Sequence, residues 1–330
     1  MRLALSAGLA KRSQSAKDRF GYVADLGDIL TPPRTWDEIA SLITPGLDLS
    51  HQIRQHMVTV VVITYRRGAN SGAIALEVWP TRGGDIAVRR LQSAADTEQA
   101  RSVRSGMHAR ELRDARVAVV GVGALGSFVA DMLVRSGIRR LELMDDEIVI
   151  PGNVVRHLVG PDAVGLSKVV AVKRCIDGRY KLSNDNVIAT EEMLTSGPDA
   201  AKLLRGNDLV VNATADFATT ALLHLTAQSV GAHVLSAALQ NDGSTYRIDV
   251  LPPLSEAEAL PPSPQFSDST TSLVFENGCG SPVSPTPPHA VVEAAAATVR
   301  HAIGLLTSRP LHPAGEVRTL QEPPEQVPHG

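Results

Sequence analysis

Residues 116–146 read RVAVVGVGALGSFVADMLVRSGIRRLELMDD, and the fold follows from this stretch. Residues 117–120 are a short, β-branched apolar run that stops at a glycine, the pattern of a buried strand. Gly121-Val122-Gly123-Ala124-Leu125-Gly126 then supplies G-x-G-x-x-G. A helical pattern over 127–136 is closed by Gly137, and a second strand, 140–144, runs into Asp145. Strand, glycine turn, helix and strand together open a doubly wound α/β fold.

Each glycine has a distinct task. Gly121 permits the tight turn, Gly123 removes the side chain that would keep a phosphate off the backbone amides, and Gly126 lets helix and strand pack closely. Free N–H groups at the helix start favour an anion. Asp145, at the end of the second strand, is placed to accept ribose hydroxyls. The turn by itself does not say which nucleotide binds, and NAD suits it as well as ATP.

Working outward, the chain has 330 residues, enough for two domains. Hydrophobic residues make up 43% and aromatics 3%, so the core is expected to be aliphatic. A net charge of −3 gives no general reason to expect nucleic-acid or anionic-membrane binding. No apolar run approaches the ~18 residues of a membrane helix. The basic N-terminal stretch is too interrupted for a signal peptide, and a cytoplasmic chain is expected. Two cysteines, Cys175 and Cys279, cannot make a four-cysteine zinc site, so no structural zinc is expected.

Residues 1–95 read as a small α+β domain. Residues 36–43 (WDEIASLI) have helical spacing after Thr35, an N-cap residue type, and 57–65, 73–79 and 86–91 read as strands. A helix plus an antiparallel meander is the expected architecture. His51 and His56 read as surface residues. Residues 95–115 read as a charged helical connector.

Beyond Asp145 the glycine turn acquires company. Glu147, Asn153, Arg156 and His157 lead to Gly165-Leu166-Ser167-Lys168 and a helix to about Arg179. Residues 207–216 (NDLVVNATAD) are a buried strand ending in Asp216. In an open parallel sheet the carboxyl ends of the strands line the ligand crevice, so Asp145, Asp216 and the glycine turn should meet there. A helix at 219–230, a hairpin-like pair at 233–239 and 244–251, a proline-rich segment at 252–288, and a helix at 290–307 follow. Cys175, inside a helical pattern, reads as a small core residue. Cys279 stands between two glycines in the proline-rich segment.

These motifs together resemble the ThiF/MoeB-like adenylating enzymes, relatives of the ubiquitin-activating-enzyme catalytic domain. The carriers are the glycine turn, D-x-[DE] at Asp145 and Glu147, N-x-x-R at Asn153 and Arg156, G-x-x-K at Gly165 and Lys168, and Asp216. The resemblance implies a Rossmann-like, mostly parallel sheet with helices on both faces. It assigns 96–308 to an adenylation domain with a crossover loop at 252–288, and leaves 309–330 as a tail. It implies ATP and Mg²⁺ as cofactors. The substrate would be the C-terminal carboxylate of a small ubiquitin-like or sulfur-carrier-like protein, or of a peptide. By the same resemblance Asp145 holds the ribose, Arg156 and Lys168 bind phosphates, Asp216 holds Mg²⁺ and Asn153 orients the loop. A homodimer is implied, as is a thioester role for Cys279. His289, on the same loop by this reading, could serve that thiol as a base.

The sequence departs from the family pattern in several places. His157 stands where a glutamine is usual, and Glu147 replaces an aspartate. Ala221 replaces an arginine five residues past Asp216, and the paired CxxC motif is absent. An arginine upstream of the glycine turn, Arg101 or Arg104, would complete the set. The N-terminal domain resembles the ubiquitin-conjugating-enzyme-like domain of some bacterial activating enzymes, but no cysteine precedes Cys175, so a covalent carrier role there is excluded. Two other readings remain: an NAD-dependent oxidoreductase, against which Arg156, Lys168 and Asp216 argue, and a silent scaffold for a ubiquitin-like partner.

Overall fold

The computed structural model describes residues 3–5, 21–43, 48–68, 70–95, 104–180, 182, 186–255, 257–263 and 285–320. The chain divides into two compact units, Met1–Val103 and Arg104–Gly330.

In the first unit, strands β1 (Leu3–Leu5) and β6 (Ser93–Ala95) pair antiparallel. A four-stranded sheet has the order β2 (Gly21–Asp28), β3 (Val60–Arg67), β4 (Asn70–Pro80), β5 (Ile86–Leu91). Helices α1 (Trp36–Leu42) and α2 (Leu49–Arg54) lie between β2 and β3 in sequence. Thr35 starts α1 with a reciprocal capping box: its hydroxyl accepts the Glu38 N–H at 3.3 Å, and Glu38 accepts the Thr35 N–H at 3.3 Å. Trp36, Ile39, Ile53, Val61, Ile63, Leu76 and Val78 form the core. The strands expected at 57–65, 73–79 and 86–91 form an antiparallel meander, β3-β4-β5, and β2, a strand not among those expected, adds parallel to β3. A parallel neighbour needs a crossover, which α1 and α2 supply. β2 alternates, with Tyr22, Ala24 and Leu26 toward the core and Gly21, Val23 and Asp25 away from it, but the outward Val23, 62% exposed, blurs the apolar pattern in the sequence.

The second unit is built on a seven-stranded sheet. Its strands are β7 (Arg116–Val120), β8 (Arg140–Met144), β9 (Val187–Thr190), β10 (Leu209–Asn212), β11 (Val234–Gln240), β12 (Thr245–Leu251) and β13 (Gly315–Thr319). Their order across the sheet is β13-β12-β11-β10-β7-β8-β9. The five from β9 to β11 are mutually parallel, and β12 and β13 add antiparallel. The helices are α3 (Ala124–Ser136), α4 (Lys168–Tyr180), α5 (Gly197–Gly206), α6 (Phe217–Val230) and α7 (Pro288–Leu306).

Strand periodicity divides the helices between the two faces. Val117, Val119, Leu141, Leu143 and Val211 pack in one core with Val129 and Leu133 of α3, Val172 and Ile176 of α4, and Ala294 and Ala302 of α7. Ala118, Val120, Val210 and Val234 pack on the other side with Leu203 and Leu204 of α5 and Leu223 and Ala227 of α6. A sheet covered on both faces gives near-continuous apolar strands, which is how β7 and β10 read in the sequence.

Three further differences concern the periphery. In the described part of the expected helical connector, only a 3₁₀ turn at Glu111–Asp114 is helical. His289 belongs to the first turn of α7 rather than to the preceding loop. Residues 315–319, assigned from sequence to a tail, are the edge strand β13. That strand is short, and its anchoring is tertiary: Glu316 accepts from Tyr246 and, at 3.0 Å, pairs with His301. Cys175 is half-buried against the larger core. Among the described residues, no helix is long and apolar enough to cross a membrane.

Candidate nucleotide-binding site

β8 lies on one side of β7 and β10 on the other, so the order of the parallel strands reverses at β7. A crevice is expected where the turns leaving such strands diverge. A cleft of about 340 Å³ is found there, and its lining includes Gly121 and Gly123 after β7, Asp145 and Glu147 after β8, Thr214 and Asp216 after β10, and Lys168.

The glycine turn touches the turn after β10. Gly121 has φ +83°, and a Cβ there would lie 2.6 Å from the Thr214 nitrogen. A Cβ on Gly126 would lie 1.8 Å from the Gly121 carbonyl oxygen, so any side chain would push the first turn of α3 off the loop. Asp145 ties this turn to the next one. Its Oδ2 accepts the Val122 N–H at 2.7 Å and its Oδ1 accepts the Glu147 N–H at 2.9 Å. Burial raises the Asp145 carboxyl above its ordinary range, and the nearby Lys168 charge and the two N–H donors oppose that shift. Each oxygen has a further lone pair to offer a ribose hydroxyl.

Lys168, the first residue of α4, is 7% exposed and lines the cleft. Residues 147–149 and 165–168 run side by side, with Val149 N–H donating to Leu166 O and Gly165 N–H to Val149 O, each at 2.8 Å, and Lys168 N–H to Glu147 O at 2.9 Å. This pairing fixes the register that brings the Lys168 ammonium onto the Glu147 carboxylate. A buried cation needs such a partner, or an anionic ligand in its place.

Asp216 caps α6, its Oδ2 accepting the Thr219 N–H at 2.6 Å. Hydrogen bonds from Thr219 hold its carboxyl below the ordinary value. The turn is braced from the strand: the Thr214 hydroxyl donates to Asn212 Oδ1 at 2.8 Å and accepts the Asp216 N–H at 3.1 Å. Asn212 in turn donates to Thr220 at 2.8 Å and Ser236 at 3.1 Å. An ionised, partly exposed carboxylate fits Mg²⁺, which takes one or two protein carboxylates with phosphate and water oxygens completing its shell.

The structure therefore brings Gly121, Gly123, Asp145, Glu147, Lys168 and Asp216 to one cleft, with Gly126 directly behind the turn. Asn153 and Arg156 do not line it. They lie on a 3₁₀ segment, Pro151–Arg156, where Asn153 Oδ1 accepts the Ile150 N–H at 3.3 Å and Arg156 is half-buried. Arg104 is exposed. Cys279 and Arg101 lie outside the described residues. Asp146, Thr214, Thr219 and the run Glu192-Met193-Leu194 also line the cleft, and the motifs do not mark them. Asn212-x-Thr214-x-Asp216 does carry a turn signal in the sequence; the run 192–194 has no motif spacing at all.

A glycine turn, a buried acid and a buried lysine meeting at the carboxyl ends of a parallel sheet define a nucleotide-binding α/β protein. The ThiF family profile matches residues 97–321, and the chain belongs to the ThiF family. A Sinorhizobium fredii protein, y4qC, is 30% identical over 233 residues, covering 63% of this chain and 40% of that protein. Ubiquitin-like modifier-activating enzyme 5 of Drosophila virilis is 42% identical over 85 residues, covering 24% of this chain and 21% of that protein. The chain thus matches less than half the length of either relative. Among solved structures, PaaA superposes with a TM-score of 0.50 at 20% identity, over 65% of this chain and 64% of that one. E. coli MccB crystallised with MccA does so with a TM-score of 0.50 at 18% identity, over 71% and 74%. At such identities the likeness is one of fold.

Proposed function

We propose that the chain binds ATP in this cleft and adenylates a carboxylate on a small ubiquitin-like or sulfur-carrier-like protein, or on a peptide. The observation that carries the reading is the buried Lys168 in the same cleft as the glycine turn, Asp145 and Asp216. NAD chemistry has no need of a buried lysine beside a second exposed acid, whereas displacement at a phosphate does. The similarity to a ubiquitin-like modifier-activating enzyme supports an acyl substrate of that kind.

In this reading the substrate carboxylate oxygen forms a bond to the α-phosphorus. The bond from that phosphorus to the bridging oxygen breaks, and pyrophosphate leaves with the electron pair. The amides of the glycine turn receive phosphate oxygens, and Asp145 accepts the ribose. Lys168 exchanges Glu147 for the phosphates and offsets the charge that develops on them. Asp216 would hold Mg²⁺, which supplies further charge neutralisation when bound. Arg156 and Asn153 enter from the resemblance alone, as supports from the neighbouring 3₁₀ segment. A second step, also from the resemblance, has the Cys279 thiolate attack the acyl carbon and expel AMP to leave a thioester. A homodimer is part of the same proposal.

Pyrophosphate exchange into ATP, dependent on the acyl substrate, tests the first step. K168A and D216A should each lose it, and wild-type exchange in both variants would end the assignment. C279A should keep exchange but lose a reductant-sensitive adduct. If the adduct survives in that variant, or never forms in the wild type, Cys279 is a bystander, and in the second case the adenylate itself is the species handed on.

A further inference from the structure

Val122, between the first two glycines of the turn, has both its backbone groups held by buried side chains. Its N–H goes to Asp145, and its carbonyl accepts from His157 Nε2 at 2.9 Å. The other ring nitrogen fixes the state of the imidazole. Val159 N–H donates to His157 Nδ1 at 3.3 Å, so Nδ1 is the acceptor and Nε2 carries the proton. His157 is 6% exposed, and burial holds its pKa down to about 4, so the ring stays neutral. Ser127, at the start of α3, makes a second stitch by accepting the Leu158 N–H at 3.2 Å.

This contact has a consequence for the next amide. A trans peptide is planar, so the Val122 carbonyl and the Gly123 N–H point in opposite directions. With the carbonyl anchored on a buried ring, the Gly123 N–H is turned away from that ring. Gly123 lines the cleft and is the N-cap of α3, where an unsatisfied N–H is available to an anion. A protonated ring would lose its acceptor at Nδ1 and add a positive charge near Lys168.

We propose that His157 is a positioning residue for the nucleotide, which aims the Gly123 amide at a phosphate by holding the Val122 carbonyl. This rests on the nucleotide-binding reading of the cleft. Glutamine carries a donor NH₂ and an acceptor oxygen on its terminal amide, where a neutral imidazole has a donor N–H and an acceptor nitrogen, so H157Q can replace both contacts and H157A neither.

The test uses the full chain labelled with ¹⁵N. In the wild type without nucleotide, the imidazole nitrogens should show the neutral Nε2–H tautomer at pH 7; an Nδ1–H or charged ring overturns the proposal, and this needs no variant. In H157A the Gly123 amide resonance should move and ATP binding weaken about tenfold, the loss of one buried hydrogen bond, with KM affected more than kcat. In H157Q the Gly123 amide and the ATP affinity should both return to within about twofold of wild type. If H157A leaves the Gly123 amide and ATP affinity as they are, the ring is a core residue only. A wild type that binds no ATP overturns the nucleotide reading separately, because the Gly123 response is read without nucleotide.

Discussion

The two units of the chain bury different kinds of residue. Among the described residues, every polar or charged residue that is buried as a whole lies in the second unit, including Ser127, Asp131, Asp145, His157, Lys168, Asn212 and His301. In the described part of the first unit the wholly buried residues are apolar, with Trp36, Ile39, Ile53, Val61 and Ile63 at its centre, although the hydroxyl of half-buried Thr59 is enclosed as well. Burying a polar group costs free energy unless it is hydrogen-bonded, so each such residue must be matched by partners the fold supplies. In the second unit several of these groups gather at the carboxyl ends of β7, β8 and β10. The core of the first unit rests on apolar packing. The second tolerates polar burial where phosphates are proposed to bind.

The contrast can be broken most forcefully at Lys168. K168A and D216A should each lower pyrophosphate exchange by roughly 10²–10³, the scale for removing a preorganised electrostatic contact in a dry site. Exchange measured at saturating ATP would show whether the loss exceeds a binding defect. By contrast, truncating Ile39 or Ile53 should act through stability of the first unit.

The next effect is on pH dependence, and it belongs to the second unit. His157 has an ordinary pKa of 6.5 and is held at about 4 in the fold. As pH falls below 6.5 the unfolded chain takes up a proton that the folded chain refuses until about 4, so stability is lost across that window. The size is about 3 kcal/mol. Urea midpoints at pH 7 and 4.5 should therefore show the wild type losing its advantage over H157Q on acidification. A constant difference between the two proteins would place the ring in a far more solvated setting.

Smaller still is the cap of α1. T35A removes the hydroxyl that accepts the Glu38 N–H and should destabilise the first unit by about 1 kcal/mol. Exchange at 25 °C should not follow it. The smallest expected effect is on ATP affinity when residues 1–95 are deleted: none, while binding of the acyl substrate weakens if the first unit is a docking module. Calorimetric titration of ATP and of substrate separates the two, and a loss of ATP binding would mean that the units do not divide the work in this way.

Much of the second unit is legible in the sequence. Val117–Val120, the G-x-G-x-x-G turn and Arg140–Met144 are local signals, because a strand buried on both faces must be apolar and a turn this tight must be glycine. The spacing of Asp145, Glu147 and Lys168 also carries through to one cleft, since the short pairing of 147–149 with 165–168 sets their register. Strand β2 is not legible, because its period rests on small or half-buried residues, Tyr22, Ala24 and Leu26, and the outward Val23 of this edge strand is itself apolar.

By itself, then, the sequence determined the parallel sheet, its glycine turn and the residue types that reach its carboxyl edge, since these depend on neighbours a few residues apart. Only the tertiary structure decided that Arg156 stands outside the cleft lining while Glu192, Met193 and Leu194 enter it, and that 315–319 closes the sheet as an edge strand. It also decided that the histidine at 157 commits both ring nitrogens to backbone groups of Val122 and Val159. Those facts turn on contacts between segments distant in sequence. A hydrogen bond spanning 35 residues leaves no periodic trace for a local pattern to reveal.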